Sequence, residues 1–139
     1  MDWITDVIAI GNYLEAQDKD LLAQAGIRSA LSLDGTLTPE RAQEFGLARV
    51  VTSVLVDGPG NDLRVFGGAV DSLTLLVQSK PPVLVQCHAG RSRSVAVVAG
   101  YFMRMNDLEP DEAIAQVTKK REANVAAGLK NLLYKLCAD

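Results

Sequence analysis

Cys87, Arg93 and Ser94 fall within the eight residues "CHAGRSRS", directly after the apolar run "PPVLVQ". A turn of this length between a strand end and a helix start gathers backbone N–H groups into a concavity, and the unpaired N–H groups of the helix's first turn face the same space. Gly90 lets the chain turn tightly, and Arg93 adds a planar fork that can hold two oxygens of a phosphate, which a lysine cannot imitate. The field of these donors favours a thiolate at Cys87 over a thiol. The expected chemistry is therefore transfer of a phosphoryl group to sulfur. The expected phosphate-binding loop is Cys87, His88, Ala89, Gly90, Arg91, Ser92 and Arg93. The plain alternative is a small core residue, because cysteine is often buried. Gly90, the hydroxyls of Ser92 and Ser94 and the flanking apolar segments argue against it.

Such a reaction also needs an acid, since an alkoxide or phenoxide leaves phosphorus slowly unless it is protonated. "VLVDGPGNDL" offers Asp57 and Asp62. Asp57 follows a β-branched run and opens a Gly-Pro-Gly turn, which brings it to the same sheet edge as Cys87. Initiating that turn is its alternative role. Asp62 suits the N-cap of the next helix. No metal or cofactor is expected, because the one histidine beside Cys87 supplies neither the ligand number nor the spacing that zinc needs. His88 is expected at the mouth of the pocket with its side chain turned outward. Arg91 is either a solvated charge or a preference for a substrate with extra negative charge.

The elements that must position these groups are legible as short runs. "VIAIG" (Val7 to Gly11), "SALSL" (Ser29 to Leu33), "VVTSVLV" (Val50 to Val56) and "VLVQ" (Val83 to Gln86) read as strands, each bounded by Gly, Pro or Asp. The last is apolar on consecutive positions and belongs at the centre of a sheet covered on both faces. Helices are expected after Asp18 with a stop at Gly26, from Thr38-Pro39-Glu40, over Phe66 to Gln78, over Ser92 to Met105, from Pro110, and over about Gly128 to Cys137. The basic run "TKKRE" at Thr118 to Glu122 reads as the wet face of a helix. The alternation predicts an α/β fold: a mainly parallel central sheet of four to five strands, flanked by helices on both faces. In such sheets ligands bind beyond the carboxyl ends of central strands, where Cys87 falls.

"CHAGRSRS" resembles the Cys-x5-Arg-Ser/Thr signature of the cysteine-dependent protein tyrosine phosphatase superfamily, and the chain is most similar to its small dual-specificity branch. The resemblance runs over nearly the whole chain, from "IAIGNYLEAQDKDLLAQAGIRSALSL" to "VDGPGNDL", which lies where that branch has its acid loop. It implies that Cys87 attacks phosphorus, that Arg93 binds the equatorial oxygens, that Asp57 is the acid, and that Ser94 helps the thiolate leave during hydrolysis. One departure stands out: the family usually has His before the nucleophile, and this chain has Gln86. Gln can donate a hydrogen bond but cannot become a cation, so more of the thiolate's stabilisation falls on the backbone, Arg93 and Ser94. The family often has an orienting Asn in its later region; Asn124 is the nearby candidate and receives no role.

With 139 residues the chain is the size of one catalytic domain, 1–139, and its charge of −3 argues against a broad nucleic-acid surface. No apolar run reaches the roughly 18 residues of a membrane span, and the start "MDWITDVIAIGNY" lacks the cationic flank of a signal peptide. The expectation is a cytoplasmic monomer whose two cysteines stay reduced. Its substrate would be a phosphorylated protein or peptide carrying phosphotyrosine and, by extension, phosphoserine or phosphothreonine. The first alternative is a phospholipid or inositol phosphate, because the loop also resembles those of lipid-directed members and Arg91 adds charge. The second, motivated by Gln86, is a catalytically weak domain that captures phosphorylated ligands.

Overall fold

The computed structural model describes residues 1–138. Its strands are β1 (Asp2–Trp3), β2 (Ile8–Gly11), β3 (Ser29–Ser32), β4 (Arg49–Thr52) and β5 (Val83–Gln86). They form one sheet in the order β1-β2-β5-β3-β4, with only the β1–β2 pair antiparallel. The expected α/β fold is present, with β5 in the middle: Gln86 at its end lies opposite Gly11 on one side and Ser32 on the other. The two-residue β1 carries no periodic signal and was not expected.

The helices are α1 (Tyr13–Ala16), α2 (Lys19–Ala25), α3 (Leu63–Ser79), α4 (Arg93–Asn106), α5 (Pro110–Thr118) and α6 (Ala127–Ala138). Alternate side chains of each strand go to opposite faces. Ile8, Ile10, Leu31, Val83 and Val85 face the thick layer of α3 to α6, with Phe66, Leu73, Val95 and Leu133 among the buried residues there. The smaller Ala9 and Ala30, with Val50 and Leu84, face a thinner layer built on Ala16, Leu22, Leu37 and Phe45. Helix α4 is buried almost all round, as its composition predicts. Asp18 caps α2 by accepting from the Leu21 N–H, and Gly26 ends it in the left-handed conformation at φ 72°. Asp62 caps α3 in the same way through the Arg64 N–H at 2.7 Å, as expected.

Two expectations change. The segment opened by Thr38-Pro39 forms two 3₁₀ turns, Pro39–Arg41 and Gln43–Phe45, in place of an α-helix. A run this short gains too little to offset helix nucleation, and Thr38 makes no side-chain cap, so the chain tightens to i→i+3 bonds. The strand expected over 50–56 ends at Thr52. Beyond it the chain bends across the end of β3, with the Ser53 and Leu55 N–H groups donating to Ser32 and Leu33 carbonyls at 2.9 and 3.0 Å. That crossing carries the following residues toward β5. Among the described residues no helix is long and apolar enough to cross a membrane.

Candidate active site

The loop after β5 and the crossing after β4 meet in one cleft of about 340 Å³, whose lining includes Cys87, His88, Arg91, Arg93, Asp57 and Asn124. Cys87 is 2% exposed, at the floor, and the Gly90 N–H donates to its Sγ at 3.2 Å. A charge buried this deeply is tolerable only when donors surround it, so the orientation of the loop's peptides decides what the sulfur can do.

That orientation is held from outside, one carbonyl at a time. Cys87 O accepts from the Gln86 side-chain amide at 3.1 Å, and His88 O accepts from the Tyr13 N–H, at the start of α1, at 3.1 Å. Arg121 donates to Ala89 O at 3.3 Å and to Gly90 O at 2.6 Å. Arg91 O accepts from the Asn124 N–H at 2.9 Å, and the Ser92 hydroxyl accepts from the Ala126 N–H at 3.0 Å. In a planar trans peptide the N–H lies opposite the C=O, so fixing these carbonyls on the outside turns the N–H groups of residues 88 to 92 inward. Gly90 sits at φ 69°, a conformation for which glycine has no steric cost.

Arg93 opens α4, and its Nη1 donates to Leu55 O at 3.0 Å, which ties the loop after β5 to the segment that ends in Asp57. A guanidinium carries five N–H donors, so this bond leaves others unused, and Arg93 lines the cleft. Ser94 follows in the first turn of α4, fully buried, and its hydroxyl has no hydrogen-bond partner among the described residues. His88 and Arg91 are exposed, and the His88 ring stacks on Tyr13 with centroids 4.4 Å apart and planes 6° from parallel. Behind β5, Asp34 accepts from the Thr36 N–H and from the Ser32 and Thr36 hydroxyls. Burial opposes its charge, but these bonds and the Gln86 amide hold its carboxyl below the ordinary carboxylate range.

Asp57 is exposed at the head of a turn that Asn61 closes, its amide bonding both the Val56 N–H and the Val56 carbonyl at 2.7 Å. The turn rests on α6 at Gly128, where a Cβ would lie 2.6 Å from Gly58 and Pro59 backbone atoms. Alanine is the better helix former by up to ~1 kcal/mol, but overpacking against backbone that cannot rotate away costs roughly 1–3 kcal/mol. Gly128→Ala is therefore expected to lower the thermal unfolding midpoint, and an unchanged or higher midpoint would show that the turn does not need this seat.

Six of the seven expected loop residues line the cleft together with Asp57, and the seventh, Gly90, joins them through its N–H on the Cys87 sulfur, while Asp62 stays with its helix cap. Arg121 departs from expectation. The run "TKKRE" was expected on the wet face of a helix, but α5 ends at Thr118; Lys119 and Lys120 beyond it are exposed, while the Arg121 side chain is only 11% exposed and wraps the loop from outside. A charged run marks a wet face on average and says nothing of one member that turns inward. Asn61 and Tyr13 were unmarked and Asn124 was given no role: Tyr13 and Asn124 act through their backbone N–H groups, and Asn61 closes its turn on Val56 through its side-chain amide. Among the described residues no group of three or more His, Cys, Asp or Glu side chains could hold a metal ion.

Comparison with known proteins adds four likenesses. A family model described as the catalytic domain of dual specificity phosphatases matches residues 10–137. Dual specificity protein phosphatase 1B of Arabidopsis thaliana is 32% identical over 113 residues, covering 81% of this chain and 66% of that protein. Dual specificity protein phosphatase 22-B of Danio rerio is 32% identical over 128 residues, covering 89% and 67%. The solved structure of the human tyrosine phosphatase-like serine/threonine/tyrosine-interacting protein superposes with a TM-score of 0.83 at 26% identity, covering 99% of this chain and 95% of that one. The chain spans about two thirds of the length of the first two relatives and less of others.

Proposed function

The chain belongs to the dual specificity phosphatase catalytic-domain family, and from that premise we propose that it is a cysteine-dependent phosphomonoester hydrolase acting on phosphotyrosine and on phosphoserine or phosphothreonine. The observation that carries this reading is the Cys87 sulfur at the floor of an open cleft, bonded by the Gly90 N–H, with Arg93 and Asp57 on the rim.

In the first step the Cys87 thiolate attacks phosphorus while the ester P–O bond breaks, and Asp57 gives its proton to the departing oxygen. Arg93 and the inward N–H groups stabilise the charge on the equatorial oxygens. In the second step water attacks phosphorus, Asp57 takes a proton from it, and the S–P bond breaks to return the thiolate. We assign to Ser94, the residue after Arg93 in α4, the support of the charge that returns to sulfur, the role that the family likeness implies for it. The net change is ester plus water to alcohol plus phosphate, and this scheme calls on no cofactor. Every group it uses comes from residues of one chain, so a monomer that is a single catalytic domain suffices. A reducing, cytoplasmic compartment suits a reaction that needs Cys87 as a free thiol.

A lipid-directed reading has one observation in its favour, the exposed Arg91 on the cleft wall, which could meet a second phosphate. Initial rates on a phosphotyrosyl peptide, a phosphoseryl peptide, phosphatidylglycerophosphate and phosphoinositides separate the two. The phosphotyrosyl peptide is expected to give the highest kcat/KM, whereas preference for a lipid would replace the protein-directed reading. Failure to turn over any of them, with retained binding, would favour phospho-ligand capture.

A further inference from the structure

We propose that Arg121 is a positioning residue for the nucleophile: its guanidinium locks the two peptide groups that flank Gly90, so that their N–H groups face the Cys87 sulfur and the phosphoryl oxygens. The proposal rests on the hydrolase reading above, but the geometry behind it concerns the loop alone.

The peptide between Ala89 and Gly90 supplies the N–H that reaches Sγ at 3.2 Å, and the carbonyl of that same peptide lies on Arg121 Nη2 at 3.3 Å. The next peptide has its carbonyl on Arg121 Nε at 2.6 Å. These two groups flank the one loop residue with no Cβ, the place where a peptide can rotate at the lowest steric cost. If either turned over, its carbonyl oxygen would point at the thiolate and the phosphate, and repulsion would replace a hydrogen bond. The other loop carbonyls are held by the backbone N–H groups of Tyr13 and Asn124 or by the neighbouring Gln86 amide. Arg121 alone serves two, and it does so from 31 residues away.

The guanidinium is itself held in place. Its Nη1 donates to Asp2 Oδ2 at 2.9 Å and to Ile10 O at 3.4 Å, so β1 and β2 fix the arginine that fixes the loop. The packing leaves no slack, since a Cβ on Gly90 would lie 2.7 Å from Arg121 Nη2. A lysine keeps the charge but donates from one point, so it cannot span both carbonyls and Asp2 together.

The test uses Arg121→Ala and Arg121→Lys in a Cys137→Ser background, which removes the other, exposed thiol. Three quantities are read: kcat and KM on an aryl phosphate, the rate of Cys87 alkylation by iodoacetamide at neutral pH without substrate, and the recovery of both with millimolar guanidinium. Arg121→Ala is expected to lose about 10²-fold in kcat, the scale of a small misplacement at a reacting centre, and to alkylate more slowly. Guanidinium should restore part of each, and Arg121→Lys should fall between wild type and Arg121→Ala. Wild-type rates in Arg121→Ala, or losses that guanidinium leaves untouched, would overturn the proposal. Should Arg121→Ala fail to fold, Arg121→Lys decides: slower alkylation and lower kcat support the lock, and wild-type values remove it. A wild-type chain that hydrolyses no ester would sink the hydrolase reading, while the alkylation comparison would still judge Arg121.

Discussion

Cys87→Ser is expected to reduce hydrolysis of an aryl phosphate by on the order of 10⁴-fold or more, the scale seen when a catalytic nucleophile is removed, while the protein still binds inorganic phosphate or tungstate. A serine oxygen is a weaker nucleophile than sulfur toward phosphorus, and it is the poorer leaving group in the second step. The anion cradle does not depend on sulfur. Its peptides are held from outside by Gln86, Tyr13, Arg121 and Asn124, none of which touches the substituted atom. Steady-state rates on para-nitrophenyl phosphate and calorimetric titration with tungstate read the two properties separately. Turnover close to that of the wild type would end the covalent mechanism. Loss of both turnover and anion binding would mean that the sulfur shapes the loop.

Asp57→Asn is expected to lower the rate on a phosphoseryl peptide by about 10²- to 10⁴-fold and to spare para-nitrophenyl phosphate much more. Asparagine keeps the size and hydrogen-bonding reach of the carboxyl but cannot deliver its proton. An alkoxide depends on that proton, and para-nitrophenolate leaves nearly without it. Asp62→Asn is the matched control. Its carboxylate accepts from the Arg64 N–H as the cap of α3, and asparagine caps a helix about as well. Near-normal activity is therefore expected there. A loss in Asp62→Asn equal to that in Asp57→Asn would transfer the acid role, and equal losses on both substrates in Asp57→Asn would make that residue structural.

The contrast between these two aspartates also shows how far local reading reaches. Asp62 was identifiable as a cap because capping depends on the next two or three residues. Asp57 was identifiable as an acid candidate because it ends an apolar run. Its arrival beside Arg93 depends on the chain crossing β3 after Thr52, where the sequence pattern predicts four more residues of strand. Alternation of Leu55 inward with Val54 and Val56 outward persists through that crossing, so side-chain pattern alone cannot tell it from a strand. Likewise Thr38-Pro39 signals a helix start, but how many turns follow depends on where Phe45 and Leu47 find burial.

By itself the sequence determined four of the five strands, the helices α2 to α6, the central place of Val83 to Gln86, and the turn from Cys87 to Arg93, but neither β1 nor the short α1. Periodicity, capping and turn chemistry all act within a few residues, so a short window carries them. Tertiary structure alone decided what holds that loop: Arg121 on its carbonyls, Tyr13 and Asn124 through their backbone N–H groups, and Gly128 beneath the turn of Asp57. These contacts join segments tens of residues apart, and only the packing of helices on the sheet brings their atoms within hydrogen-bonding distance.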